Sequence, residues 1–333
     1  MLLHIEDEKL WILLHLQKYF TMKNKINIVF LDSATIGEDV KITPISSLGE
    51  YVSYHYSPQS MIAERIKNCN VVISNKAYVG QKEIDAAPKL KLICVAATGT
   101  NNVDIPYAQS KGIQVKNVVN YSTESVAQIT FMHMLNLVCN AFYFDNVVKS
   151  GEYTRGNSYT DVSHSYYELK GKKLGIIGLG NIGNRVAEIA TVFGMDVAYF
   201  TTSGVSHSEK YPAHKLNKLL NESDIVSIHA PLNEKTKDLI NFEKMNQMKR
   251  TGYIINMSRG GIINEADLVK ALNGNIIAGA AVDVYTQEPI PSDHPFFNVI
   301  DKSKLLFSPH IAWASKEARK ILVERIAENI KSL

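Results

Sequence analysis

Short apolar runs rich in β-branched residues recur along the chain, and longer stretches with apolar positions every three or four residues separate most of them. The runs cover residues 26–31, 71–74, 92–97, 113–119, 173–178, 197–200, 225–229, 253–257, 277–282 and 305–307. Each is too short for a helix and nearly continuous in its apolar character, as a strand covered on both faces must be. The intervening 60–67, 182–193, 242–248 and 265–272 carry helical spacing. Strand–helix alternation of this kind predicts an α/β protein of doubly wound parallel sheets with helices on both faces.

Residues 122–148 break the pattern. Ser122-Thr123-Glu124-Ser125 offers a helix cap, and then Val126, Ile129, Phe131, Met132, Met134, Leu135, Leu137, Val138, Phe142 and Phe144 place apolar groups around most of a helix. A helix apolar on all sides must be covered on all sides, by another domain or by another subunit. His133 inside it is expected to be a hydrogen-bonded packing residue. A domain boundary is placed near residue 121. Residues 22–120 together with 305–333, the last strand and an amphipathic helix, are expected to form one domain, and 121–304 the other.

The 333-residue length suits two domains, and 45% hydrophobic with 21% charged residues is a globular composition. A net charge of +3 with no long basic run argues against a nucleic-acid surface. Cys69, Cys94 and Cys139 make no Cys-x-x-Cys pair and read as small apolar core residues of a cytoplasmic protein. No His/Cys/Asp/Glu group has metal-ligand spacing, so no catalytic metal is expected. No stretch reaches the ~18 apolar residues of a membrane helix. Residues 1–21 stand apart: Glu6, Asp7 and Glu8 precede a short apolar run where a secretory leader would be basic. That segment reads either as a docking helix or as a start that precedes the folded chain.

The most specific motif follows the run at 173–178. Gly178-Leu179-Gly180-Asn181-Ile182-Gly183 leaves a strand and opens a helix, the context in which Gly-x-Gly-x-x-Gly binds a dinucleotide. Gly178 allows the tight turn, Gly180 the approach of backbone to pyrophosphate, and Gly183 close packing of helix on strand. The helix N-terminus offers N–H groups and partial positive charge to the phosphates. The next strand should end in an acid that holds the ribose 2′-hydroxyl, but the chain reads Thr201-Thr202-Ser203-Gly204. No arginine follows, although His207 and Lys210 are near. NAD is the expected cofactor, with NADP left open.

Ligands of open α/β sheets bind beyond the carboxyl ends of the strands. Arg259, Glu288 and His310 each follow such an end. Any one alone reads as an ordinary loop residue; three on one edge downstream of a dinucleotide motif read as chemistry. Hydride addition to a 2-keto acid builds negative charge on the carbonyl oxygen. An imidazole, with an ordinary pKa of ~6.5, can neutralise it with a proton. A carboxylate beside the ring holds its charge and orientation, and a guanidinium fork can grip the substrate carboxylate. Asp283, at another strand end, is placed to accept from a nicotinamide carboxamide. His229 also ends a strand but has no matching partner and reads as structural.

These residues, with Ala97-Thr98-Gly99-Thr100-Asn101-Asn102-Val103-Asp104, Asn256-Met257-Ser258-Arg259-Gly260-Gly261, Asp283 through Glu288-Pro289, and Pro309-His310, closely resemble the D-isomer-specific 2-hydroxyacid dehydrogenases from residue 25 onward. The resemblance implies a Rossmann cofactor domain inserted in a flavodoxin-like substrate domain, and a homodimer with the helix after Ser122 in its interface. It implies Asn181, Ile182, Thr201, Ala230, Pro231, Thr236, Met257, Ser258 and Asp283 around the cofactor. It places Thr98, Gly99 and Tyr121 at the substrate. Ser74-Asn75-Lys76 and the segment from His310 to Ser315 look like the glycerate dehydrogenase, or hydroxypyruvate reductase, branch, with Lys76 either beside a polar substrate or at the surface. Reduction of hydroxypyruvate or glyoxylate is the leading expectation. Oxidation of 3-phosphoglycerate, which predicts further cationic residues and often an added domain, and a dinucleotide-sensing corepressor are the alternatives.

Overall fold

The structure is a computed structural model that describes residues 26–205 and 208–333, so the 1–21 extension and His207 lie outside the described residues. The chain divides into two compact units: the residues up to Tyr121 together with Lys316–Leu333, and Ser122–Ser315.

The first unit holds β1 (Ile26–Phe30), β2 (Gly49–Ser53), β3 (Val71–Ser74), β4 (Leu92–Val95) and β5 (Gln114–Lys116). They form one parallel sheet in the order β2-β1-β3-β4-β5. This is the flavodoxin-like order, in which the chain reverses direction between β1 and β3. Ile62 and Ile66 of the helix Gln59–Ile66 pack with Val29, Val72, Ile93 and Val95 on one face. The sequence pattern missed β2, because Gly-Glu-Tyr-Val-Ser is an edge strand with mostly polar, exposed positions. The terminal helix Lys316–Lys331 buries Ala318, Leu322, Val323, Ile326, Ala327 and Ile330 along one stripe. Arg319 fastens it with a two-pronged ion pair to Asp39, at 2.5 and 3.0 Å.

The second unit holds β6 (Lys173–Ile177), β7 (Asp196–Phe200), β8 (Ile225–Ile228), β9 (Tyr253–Asn256), β10 (Gly279–Val282) and β11 (Leu305–Phe307). The sheet runs β11-β10-β9-β8-β6-β7, all parallel. Outside β7, Ala213 makes a single parallel bridge to Tyr199. That bridge stands where the third strand of a dinucleotide-binding sheet belongs, so the order is that of a Rossmann fold with one strand cut to a residue. Successive residues face opposite layers. Val226, Ile228, Ile254, Ala280 and Val282 enter one core, whereas Ile225, Ile255 and Ala281 enter the other.

Two expectations need correction. The strand at 305–307 was expected with the first domain, but it pairs with β10 through Ala280↔Leu305 to Val282↔Phe307. Only the helix Lys316–Lys331 returns to the first unit. Three apolar residues cannot announce which sheet they will join; the pairing is made by tertiary contact. The long helix expected over 122–148 is two, Thr123–Cys139 and Ala141–Lys149, separated by Asn140 in the left-handed region at φ +51°. Asparagine tolerates that conformation better than most residues, and apolar periodicity is blind to it.

Candidate active site

The sheet register of the second unit sets Ile177, Ile228, Asn256, Val282 and Phe307 in one row across five strands. Everything singled out in this unit, apart from Thr201, follows directly from that row: Gly178 to Gly183, Ala230 to Thr236, Met257 to Arg259, Asp283 to Glu288, and His310.

The glycine turn has the geometry expected of a dinucleotide cradle. Gly178 sits at φ +91°, and a Cβ there would lie 2.8 Å from the Ala230 nitrogen. A Cβ on Gly183 would lie 2.3 Å from the Gly178 carbonyl oxygen. Both glycines are therefore demanded by the fold itself. Gly180 is different, since a Cβ there would meet nothing within 4 Å. No protein neighbour requires that glycine, which fits a ligand approaching the backbone. Asn181 opens the helix Asn181–Val192, Gly180 caps it without a side chain, and Ile182 packs against the second core. The residues present thus fit a pyrophosphate at this turn.

The loop after β8 is folded by Thr236, fully buried, whose Oγ1 donates to the Pro231 carbonyl at 2.6 Å and accepts from Asn233 N at 2.8 Å. Ser258 Oγ donates to the Ala230 carbonyl, joining the β8 and β9 loops beside the buried Met257. Thr201 Oγ1 donates to the Val205 carbonyl at 2.8 Å and lies 3.0 Å from Ser203 Oγ. The β7 end is therefore a knot of hydroxyls without a carboxylate.

Arg259 is set by a residue that motif reasoning passed over. Asn256, buried at the end of β9, accepts from Ser258 N at 3.1 Å and donates to the Arg259 carbonyl at 2.9 Å. The Arg259 guanidinium donates to the Ser258 carbonyl at 2.7 Å and makes no ion pair among the described residues. The next residue explains the neighbouring glycine: a Cβ on Gly260 would fall 2.0 Å from the Tyr285 carbonyl carbon. The β9 and β10 loops touch backbone to backbone there.

Glu288 and His310 meet directly. Glu288 Oε2 lies 2.6 Å from His310 Nδ1, and Oε1 accepts from Tyr285 N at 3.1 Å. His310 has a left-handed backbone, φ +54°, which a non-glycine residue keeps only where its surroundings hold it. Asp283 is part of that support. Its Oδ1 accepts from Ser308 Oγ at 2.6 Å and Ile311 N at 2.9 Å, and its Oδ2 from Ala312 N at 2.8 Å. Burial pushes the Asp283 carboxyl up, against the pull of these hydrogen bonds. Tyr285 Oη donates to the Ser308 carbonyl at 2.9 Å, and burial raises that phenol as well. His133 shares a 3.1 Å hydrogen bond with Ser308 Oγ, as a packing histidine should, and burial pushes its imidazole down. His229 is structural too: it lies 2.8 Å from Ser227 Oγ, and burial pushes it down to about 3.

The remaining sequence candidates belong to the first unit. Lys76 follows β3, Thr98 and Gly99 follow β4, and Tyr121 is buried at the unit's end. Thr98 Oγ1 donates to the Val118 carbonyl at 3.1 Å, and its own carbonyl accepts from Asn117 Nδ2 at 2.6 Å. The Lys76 loop hangs on Asp32, whose buried carboxylate accepts from Asn75 N, Lys76 N and Ala77 N at 2.9, 2.5 and 2.9 Å. No local signal marked Asp32, a lone acid after an apolar strand.

The family model of the D-isomer-specific 2-hydroxyacid dehydrogenase NAD-binding domain matches residues 131–312. Glycerate dehydrogenase of Methylorubrum extorquens is 33% identical over 92% of this chain and 95% of its own. This chain belongs to the D-2-hydroxyacid dehydrogenases. Hydroxypyruvate reductase of Blautia hydrogenotrophica is 32% identical over 92% of this chain and 96% of its own. Among solved structures, D-lactate dehydrogenase from Aquifex aeolicus, complexed with NAD and lactic acid, superimposes with a TM-score of 0.80 at 27% identity, covering 92% of this chain and 95% of that one. As a D-2-hydroxyacid dehydrogenase the protein is an NAD(P)-dependent oxidoreductase with an NAD-binding domain at Ser122–Ser315. The cysteines are all free, as expected, and burial pushes the Cys69 and Cys94 thiols up to about 12. Among the described residues no helix is long and apolar enough to cross a membrane, and no His/Cys/Asp/Glu group could hold a metal.

Proposed function

We propose that this dehydrogenase reduces hydroxypyruvate, or a close relative such as glyoxylate, to the D-2-hydroxy acid. The observation that carries the reading is the 2.6 Å contact between Glu288 and His310 on the strand edge that also bears Arg259. A bound nicotinamide dinucleotide supplies the hydride. His310, with Nδ1 engaged by Glu288, delivers a proton from Nε2 to the carbonyl oxygen as charge builds there. Glu288 holds the ring in orientation and stabilises its charged form. The Arg259 fork grips the substrate carboxylate and polarises the keto oxygen. Gly178, Gly180, Asn181, Ile182 and Gly183 take the pyrophosphate. Thr201, Ala230, Pro231, Thr236, Met257 and Ser258 line the rest of the cofactor, with Asp283 facing the carboxamide. Thr98 and Gly99 offer backbone N–H groups to the substrate carboxylate, beside Tyr121 and Lys76. Relatives named glycerate dehydrogenase and hydroxypyruvate reductase support the choice of substrate. Hydroxyls in place of an acid at Thr201 suit NADH and do not repel NADPH.

The enzyme works as a homodimer in this reading. Met132, Phe142, Val148, Tyr153, Tyr159, Val162, Tyr166 and Tyr167 are exposed on the helices Thr123–Cys139 and Ala141–Lys149 and the segment after them. Apolar and aromatic exposure on that scale marks a protein surface that another protein covers, here a second copy.

The test is a panel of 2-keto acids with NADH and with NADPH, followed by loss of reduced-cofactor absorbance. Hydroxypyruvate or glyoxylate should be turned over. His310→Ala should lower kcat by about 10²–10⁴-fold while NADH affinity holds. If no 2-keto acid is reduced with either cofactor, the reading fails.

A further inference from the structure

The segment Ser308 to Ser315 carries the proton-donating imidazole, and an unusual number of side chains hold it. Asp283 takes the Ile311 and Ala312 N–H groups, Tyr285 Oη takes the Ser308 carbonyl, and Ser125 Oγ donates to the Ala312 carbonyl at 2.6 Å. These anchors keep His310 at φ +54°. One chain of contacts among them reaches further than the loop. Ser308 Oγ gives its hydrogen to Asp283 Oδ1 at 2.6 Å, so it must accept from His133 Nε2 at 3.1 Å. His133 is therefore the tautomer protonated on Nε2, and its Nδ1 is buried without a partner. The three residues come from the helix Thr123–Cys139, the loop after β11 and the end of β10, and all three are buried.

A buried polar trio of this kind is a costly choice for stability. Apolar groups of the same volume would fill the space with no unsatisfied nitrogen left over. The mechanism above gives no task to His133 or to the Ser308 hydroxyl. What the trio does provide is direction: Ser308 fixes Asp283 in the rotamer that holds the two N–H groups after His310, and His133 fixes Ser308.

We propose that His133 and Ser308 are positioning residues for His310, acting through Asp283. The proposal rests on the dehydrogenase reading of the site. The relay is a unit: breaking it anywhere releases Asp283 and lets the imidazole drift from the substrate oxygen, while the glycine-turn cradle is untouched. Small misplacements of a reacting group reduce turnover more than binding. The backbone bond from Ser308 N to the Val282 carbonyl, at 3.0 Å, does not involve the hydroxyl, so loss of the hydroxyl leaves the loop attached to the sheet.

The test uses the full-length enzyme with NADH and its best 2-keto acid. Ser308→Ala and His133→Leu should each lower kcat by about 10-fold, with KM for NADH within about twofold of wild type. Ser308→Thr and His133→Gln keep a hydroxyl and a donor and should restore kcat to within about twofold. The double variant Ser308→Ala/His133→Leu should be no slower than either single one. A merely structural role would lower the melting temperature and leave the kcat of the folded enzyme alone. A folded Ser308→Ala protein with wild-type kcat overturns the proposal while the dehydrogenase reading stands. If His133→Leu does not fold, the contrast of Ser308→Ala with Ser308→Thr decides it alone. Failure of the wild type to reduce any 2-keto acid removes both.

Discussion

His229 ends β8 with its ring fully enclosed, one nitrogen on Ser227 and the other buried without a partner. Enclosure disfavours the charged ring, so the folded protein binds its proton only near pH 3, whereas an unfolded chain takes it up near ~6.5. The unfolded state thus holds the extra proton between those values. His229 costs nothing above pH ~6.5, and stability is lost progressively as pH falls below it. At about pH 5 the loss amounts to about 2 kcal/mol. His229→Asn should shrink by that amount the difference in urea unfolding free energy between about pH 7.5 and about pH 5. If wild type and variant lose the same stability on acidification, His229 is not the acid-sensitive group. The same residue-scale logic separates His133 and His229 from His310: the first two are sealed in, and only the third has a carboxylate on Nδ1 and partial exposure.

At the scale of elements, the site is a set of loops locked to one another where strands end. Asn256 ties down the Arg259 turn, Gly260 lets that turn touch the Tyr285 backbone, and Glu288 folds back on Tyr285 N before reaching His310. The helix Asn181–Val192 is seated on β6 by the absence of a side chain at Gly183. Gly183→Ala should push the helix start away from the Gly178 carbonyl, since backbone cannot move aside as a flexible side chain can. The expected result is a loss of about 1–3 kcal/mol in unfolding free energy and weaker NADH binding by about 10-fold or more, measured by fluorescence titration. Unchanged NADH affinity in a destabilised variant would show that helix seating and phosphate binding are separable.

For the whole molecule, two parallel sheets of different order are made from one chain, and the terminal helix Lys316–Lys331 belongs to the first. The exposed aromatic surface of the second unit gives the proposed dimer a measurable consequence. The protein should sediment at twice its 37.2 kDa mass at micromolar concentration, and Phe142→Glu combined with Met132→Glu should shift it toward the monomer. A wild-type monomer at those concentrations would leave the patch to some other partner and end the dimer reading.

The sequence by itself determined the strand–helix alternation, the glycine turn and the three residues on one edge. Each of these is written in local spacing: continuous apolar runs, glycine at fixed intervals, polar residues just past a strand. Only the tertiary structure decided that the strand at 305–307 joins β10, that Asn140 divides the long helix, and that Asp32, Asn256 and Ser308 hold the loops which matter. Edge pairing, a left-handed residue and a side chain that grips backbone tens of residues away depend on which groups meet in space, and no short stretch of sequence records that meeting.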